Sequence, residues 1–409
     1  MANRAIDMIL VQASSTSWRG GTDPCMLTID GVPLLTRTLM RARAMAPDVP
    51  ICIAAPEFDK GNLDQIASLI SNCIARYSFT EKPLLRLIEA ADKLDGNAVV
   101  LRIDGQHSFF REEVIWSLVE KLHAENLDLA RSPDDFPPGL TGDVWRVEGL
   151  RKVNEVLQGF SPSEAARHYV HPKFIAMKPI AGMRTASVKH PAVSDDALRE
   201  IRNRQADAFK EDHIEVTKKS IASGDQISFH YRIASEYLRP GDVVLDIASG
   251  KGFGGDIMAN RGCQVVCADI DQSKLDEGRE LFQRKEITFS RQNVFDMTFP
   301  NDMFDVVTSM ETMEHVADVD RYLTQLKRVL RPNGLLILST PQNALGHIPL
   351  TPAHEKEYSL QEFRLLCGRH FQIEKIIGLK AGTIYFDDDP VGGNSMAILR
   401  KNADAQTSE

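Results

Sequence analysis

The chain lacks the features that would place it in a membrane, on a polyanion or in a disulfide framework. It has no run of about 18 apolar residues, so no membrane span is expected. It has no excess of positive charge: 48 Lys and Arg stand against 57 Asp and Glu, a net charge of −9. That balance argues against a general nucleic-acid partner, because polyanions need a basic footprint. Its six cysteines (Cys25, Cys52, Cys73, Cys263, Cys267, Cys367) are scattered, with no CxxC pair. Reduced thiols and a cytoplasmic location are therefore expected, and no zinc site is read from them. The opening MANRAIDMILVQASS has only MILV as an apolar stretch, with Asp7 just before it. It reads as a first strand and not as a signal peptide.

What is present suits two globular α/β domains. The length of 409 residues exceeds one ordinary core, and 43% hydrophobic with 26% charged residues is a globular composition. Residues 1–178 alternate strand-like and helix-like segments: IDMILVQA, ICIAAP, NAVVLRIDG and LDLARS as strands, with PLLTRTLMRARAM, NLDQIASLISNCIA, LLRLIEAADKL and EEVIWSLVEKLHAE as helices. Such alternation implies a mostly parallel sheet with helices on both faces, and ligands at the carboxyl ends of its strands. The loops to watch are Ser14–Asp23, Pro56–Gly61 and Asp104–Phe109. Residues 179–224 read as a polar linker, GMRTASVKHPAVSDD, followed by a charged helix. The alternation resumes over 225–401, and 402–409 form a polar, frayed tail.

The second domain is organised around Val243–Gly255, VVLDIASGKGFGG. A buried strand leads into a glycine-rich turn and a helix start, where the backbone can approach a ligand closely. Gly250-x-Gly252-x-x-Gly255 also fits a dinucleotide fingerprint, which alone is weak. Three features favour a cofactor with a cationic amino-acid end. Asp246 lies inside the strand, where a pyrophosphate gains nothing from a carboxylate. The domain is too short for a second mononucleotide half. It ends in a hairpin-like strand pair, FQIEKIIGLK and NSMAILRK, instead of another crossover.

Two family resemblances follow from the motifs. Residues 228–400 resemble a class I S-adenosylmethionine-dependent methyltransferase of the small-molecule and sugar-modifying type. Val244-Leu245-Asp246-Ile247-Ala248-Ser249-Gly250-Lys251-Gly252 matches its first motif, with alanine where the family often has glycine. Ala268-Asp269-Ile270-Asp271, Asn293 to Val307, Ser309 to Val316 and Arg328 to Pro341 match the next four, in order. The resemblance implies a Rossmann-like, seven-stranded domain. Residues 6–150 resemble the cytidylyltransferases of the spore-coat-polysaccharide and CMP-sugar synthetase type, a doubly wound nucleotidyltransferase-like (Rossmann-like, GT-A-like) fold. Gln12, Ala13, Ser17, Arg19, Gly31-Val32-Pro33-Leu34-Leu35, Pro138-Gly139-Leu140 and Asp143-Val144 carry that likeness. Ser14 and Asp23 replace its triphosphate-binding cations, and Gln106 replaces its metal-binding aspartate, with Asp104 two residues earlier. This half is therefore expected to lack transferase activity.

The methyltransferase resemblance also implies roles. Ala248, Ser249, Gly250 and Gly252 would meet the methionine end of S-adenosylmethionine, and Asp246 its ammonium, directly or through water. Asp269 would accept the ribose hydroxyls, beside Ile270. Asn293 and Val294 would meet the adenine edge, and Met310 completes the cofactor set. Tyr231 and Arg232 would close over the methionine end or serve helix packing. His315 and His354 are the candidate catalytic residues, each as a base or as a positioning group. His347 lies in the same loop as His354. A metal on Glu311, His315 and His354 is set aside, so no metal is expected. The pairing of the two domains suggests O-methylation of a sugar in a glycan or sugar nucleotide. It also allows a homo-oligomer or association with glycan-biosynthesis enzymes. Three alternatives stay open: a bifunctional CMP-sugar synthetase and methyltransferase, a methyltransferase of a quinone or similar small molecule, and a non-catalytic S-adenosylmethionine-binding scaffold.

Overall fold

The structure is a computed structural model, and it describes residues 5–15, 23–205, 226–343, 349, 351 and 353–402. Ser17, Arg19, most of the charged segment after Gln205, His347 and residues 403–409 lie outside these. The chain divides into two compact units, Met1–Glu211 and Asp212–Glu409. Among the described residues no helix is long and apolar enough to cross a membrane. All six cysteines are free.

The first unit is built on a seven-stranded sheet in the order β5-β4-β1-β6-β8-β7-β9. Its strands are β1 (Met8–Gln12), β4 (Ile51–Pro56), β5 (Cys73–Ser78), β6 (Val99–Asp104), β7 (Leu129–Arg131), β8 (Asp143–Arg146) and β9 (Thr185–Ser187). A small hairpin, β2 (Thr28–Ile29) with β3 (Val32–Pro33), stands apart from it. β1 is central because ILV is apolar on both faces, and it pairs in parallel with β4 and β6. Leu35, Leu39 and Ala42 of the helix Leu34–Met45 are fully buried, as their spacing predicts.

Two expectations need correction here. Asn62–Ala75 is not one helix: the helix ends at Ser68, Asn72 turns at φ 49°, and Cys73 begins edge strand β5 beside β4. Part of the expected linker is also sheet, since Thr185–Ser187 pairs in parallel with β7. The sheet is mostly parallel, as expected, with β8 antiparallel to both β6 and β7.

The second unit has a seven-stranded sheet in the order β12-β11-β10-β13-β14-β16-β15. The strands are β10 (Val243–Ile247), β11 (Gln264–Asp269), β12 (Ile287–Arg291), β13 (Phe304–Met310), β14 (Leu330–Pro341), β15 (Gln372–Leu379) and β16 (Asn394–Arg400). Pairing is parallel from β12 through β14, and β16 is antiparallel to β14 and β15. β14 is irregular at its start, where Asn333 sits at φ 63°. Successive residues of β10 face opposite ways. Leu245 and Ile247 enter one core with Phe304, Tyr322 and Phe363, while Val244 enters the other with Val265 and Ile398. β10 lies between β11 and β13, where the winding reverses, so the crevice opens at its carboxyl end.

Candidate functional site

The crevice begins at Asp246, the one acid within β10. It shares a face with Val244, has no solvent exposure, and accepts from the Tyr231 hydroxyl at 2.9 and 3.1 Å and from Thr308 Oγ1 at 2.8 Å. Burial pushes its carboxyl up to about 7 against the pull of those two donors. Tyr231 arrives on the helix Gln226–Ser235, packed so tightly on Gly254 that a Cβ there would lie 2.2 Å from its ring. Burial, and then the Asp246 carboxylate, raises the Tyr231 phenol far above its ordinary value, so it remains a donor.

The loop after β10 turns through three left-handed positions: Ala248 at φ 60°, Gly250 at 56° and Gly252 at 80°. The bends are held from β11. Ser249 N–H donates to the Ala268 carbonyl at 3.0 Å, and Gly250 N–H donates to Asp269 Oδ2 at 2.8 Å. The other oxygen of Asp269 accepts Asp271 N–H at 2.9 Å, and Asp271 in turn caps the helix Gln272–Leu281. Asp269 thus ties the glycine loop to the end of β11 while itself 8% exposed. Ser249 Oγ is buried without a hydrogen-bond partner among the described residues. Ile270 next to it is 59% exposed, an apolar side chain at the strand end.

The remaining nominated residues fall on two further edges of the crevice. Asn293 and Val294 follow β12 in a tight turn in which Asn293 bridges to Asp296. Asn293 Oδ1 already accepts Phe295 N–H at 2.9 Å, so an adenine amine would share that oxygen. Met310 is buried at the end of β13, and Glu311 follows at φ 49°. Asn394 Nδ2 donates to Glu311 Oε2 at 2.7 Å, and His230 Nδ1 lies 3.6 Å from Oε1. Burial pushes Glu311 up to about 7, and burial followed by the nearby Glu311 charge pushes Glu314 well above the usual carboxylate range.

His315 and His354 are brought together from opposite ends of a 39-residue separation, with ring centroids 4.9 Å apart at 81°. His315 Nδ1 lies 3.2 Å from the Ala353 carbonyl, and His354 Nδ1 lies 2.7 Å from Glu357 Oε1. Glu357 is buried and also accepts from Asn343 Nδ2 at 3.0 Å and Thr351 N–H at 3.1 Å. Thr308, His230 and Asn394 were not visible as site residues in the sequence. His230, beside Tyr231, had the only signal, its place one residue from a nominated aromatic.

In the first unit, Ser14 and Ser15, the described start of the loop expected to have lost its cations, are held by an acid. Buried Asp59 accepts from Ser14 Oγ at 2.7 Å and Ser15 N–H at 2.9 Å. Behind it lies an ionic network with no counterpart in the sequence reading: Arg102 bonds Asp143 at 3.2 Å and Gln12 at 3.0 Å, and Lys173 Nζ is 3.5 Å from Asp143.

Residues 245–338 match the family model described as a methyltransferase domain. The chain is 29% identical over 174 residues to a probable S-adenosylmethionine-dependent methyltransferase of Mycolicibacterium smegmatis, covering 41% of this chain and 67% of that protein. A protein of the same description from Mycobacterium tuberculosis is 30% identical over 158 residues, 37% of this chain and 57% of that one. The ubiquinone/menaquinone biosynthesis C-methyltransferase UbiE of Teredinibacter turnerae is 36% identical over 141 residues, 32% of this chain and 53% of its own length. The chain thus spans about half to two thirds of the length of these relatives. The second unit carries a class I S-adenosylmethionine-dependent methyltransferase domain, with S-adenosylmethionine as its cofactor.

Proposed function

We propose that the chain transfers a methyl group to a hydroxyl oxygen of a sugar, in a glycan or a sugar nucleotide. The observation that carries the acceptor side is the His315–His354 pair, set after β13 and β14 and oriented through Ala353 and Glu357. An alcohol is a weak nucleophile at neutral pH and gains from a placed imidazole, whereas the donor needs chiefly alignment.

The cofactor side fits the residues present. The left-handed turn at Gly250 leaves open space beside the backbone for a ligand, Gly252 packs the loop against Phe289, and the unpartnered Ser249 Oγ offers a hydroxyl. Asp246 lies behind this loop as a carboxylate poised to ionise near a cation, reached through the Tyr231 and Thr308 hydroxyls or through water. Asp269 presents ribose acceptors, and Ile270 presents an apolar surface for the base. When bound, S-adenosylmethionine supplies a methyl group on a positively charged sulfur. The protein's own part is to hold that methyl in line with the acceptor oxygen and to receive the proton at an imidazole nitrogen.

The sugar class rests on the first unit's resemblance to CMP-sugar synthetases, read as a domain that binds a sugar nucleotide or glycan without cytidylyl transfer. A quinone acceptor is the second reading, favoured by the similarity to the UbiE protein. Transfer of labelled methyl into a glycan fraction and into a demethylated quinol, followed by mass spectrometry, decides between them. Label in the quinol alone would overturn the sugar reading.

A further inference from the structure

Glu314, His315 and His354 form a group whose ligand atoms all lie within 4.8 Å of one another. We infer that these three residues are a binding site for a divalent first-row transition ion such as Mn²⁺ or Zn²⁺, with positions left open for an oxygen of the acceptor. Two imidazoles and one carboxylate are a donor set that suits such ions, and three protein ligands leave room for an exchangeable one.

The groups behind the three ligands support this reading. The Ala353 carbonyl accepts a hydrogen bond from His315 Nδ1–H, and the Glu357 carboxylate accepts one from His354 Nδ1–H. Each contact directs a lone pair to Nε2, the arrangement in which a metal-bound imidazole is held by a carbonyl or carboxylate. Glu314 is divided in the same way. Its Oε2 accepts from Thr340 Oγ1 at 2.8 Å, while Oε1 faces His315 Nε2 at 4.0 Å. The two segments are also stapled through the backbone, because the Glu314 carbonyl accepts Glu355 N–H at 2.9 Å and Lys356 N–H at 3.3 Å. His354 therefore cannot drift from the turn that carries Glu314 and His315.

Glu311 is not in the set. Asn394 holds one of its oxygens and the other faces His230, so the acid nominated from sequence spacing is replaced by its neighbour one turn on. Bonds of about 2.0–2.2 Å need donors roughly 3–3.5 Å apart, so loading draws the ligands in by about an ångström. An ion here also offsets the cost of a carboxylate that is only 1% exposed. With the ion bound both Nε2 atoms are ligands, so the proton that the metal-free site would take up on an imidazole nitrogen would instead leave an ion-bound acceptor hydroxyl, made more acidic by the ion, for solvent. Metal binding stands apart from the sugar reading, while the use of the ion on an acceptor hydroxyl rests on that reading.

The test uses the full chain after chelator treatment, titrated with Mn²⁺ and followed by electron paramagnetic resonance. One equivalent is expected to bind, with affinity reduced at least tenfold in each of His315→Ala, His354→Ala and Glu314→Gln. Calorimetry with S-adenosylhomocysteine is run on each variant and is expected to match the wild type, which shows that the fold persists. No bound Mn²⁺, or folded variants with unchanged Mn²⁺ affinity, would overturn the site. Mn²⁺ binding without methyl transfer to any sugar supports the site and removes the sugar reading. Sugar methylation that is unaffected by chelation overturns the role of the ion in holding the acceptor.

Discussion

The phenolic hydroxyl of Tyr231 lies 2.9 and 3.1 Å from the two carboxylate oxygens of Asp246. It is one of only two side-chain hydroxyls on this acid among the described residues, Thr308 being the other. Removing it in Tyr231→Phe leaves a buried carboxyl with a single donor. Loss of such a bond costs about 1–3 kcal/mol and disfavours the ionised form. We expect weaker binding of S-adenosylhomocysteine by about 5- to 100-fold at pH 7, with part of the loss recovered at higher pH. Calorimetry at pH 7 and pH 9 checks this; an unchanged affinity at both would remove Asp246 from the cofactor site.

The wild-type pH dependence follows from the same burial. Asp246 and Glu311 are both pushed up to about 7, above their ordinary values near 4. Between those limits the unfolded chain has lost both protons while the folded chain keeps them. Stability of the second unit therefore falls as pH rises from about 4 to 7, by at most about 1.4 kcal/mol per pH unit per group, and levels off above. A ligand ammonium favours the ionised form of Asp246. Cofactor binding should thus tighten as pH rises through 7 and release a proton. Calorimetry in buffers of different ionisation heat reads that proton directly, and a buffer-independent heat contradicts the assignment.

Much of the second unit was legible because its strands are short, buried apolar runs bounded by turn residues. VVLDI, read as a buried strand, coincides with β10. Cys73–Ser78 was not, because the apolar spacing of NLDQIASLISNCIA continues past Ser68 and only pairing with β4 makes its end a strand. Thr185–Ser187 is three residues whose identity as a strand comes from β7. In the site, the glycine loop and Asp269 are local in sequence, so their spacing carried the reading. The contacts of Glu311 with Asn394 and His230 join residues 83 and 81 positions apart, and no local pattern records them.

Ala248 occupies a left-handed position, φ 60°, that costs a residue with a Cβ about 1–2 kcal/mol. Glycine removes that strain but adds about 0.4–1 kcal/mol of unfolded-state entropy. Ala248→Gly should therefore stabilise the second unit by about 0.5–1 kcal/mol without loss of cofactor affinity. Denaturation with urea, followed by circular dichroism, measures it. A destabilised variant would mean that the alanine methyl makes a compensating contact.

Asp269 serves the loop before it serves a ligand, since both oxygens accept backbone N–H groups of Gly250 and Asp271. Asp269→Asn replaces one acceptor by a donor facing an N–H. The loss of a charge-assisted bond is about 1.5–3 kcal/mol. Stability should fall by that amount, and S-adenosylhomocysteine binding should weaken about 10- to 150-fold. Affinity within twofold of wild type would show that the ribose is not read by this acid.

The first unit can be followed by fluorescence, because Trp116 and Trp145 are packed in its cores. Burial by itself would raise the Asp143 carboxyl, but Lys173, Arg102 and Arg131 outweigh it and hold the group below its usual value. Arg102 and Lys173 both depend on this acid, at 3.2 and 3.5 Å. Asp143→Ala leaves buried Arg102 and half-buried Lys173 without their common partner, and breaking a buried pair costs about 3–5 kcal/mol. The tryptophan-detected urea transition should move to lower denaturant by that amount, while S-adenosylhomocysteine binding in the second unit persists. A shift under about 1 kcal/mol would mean that water reaches the cations and the network contributes little to the fold.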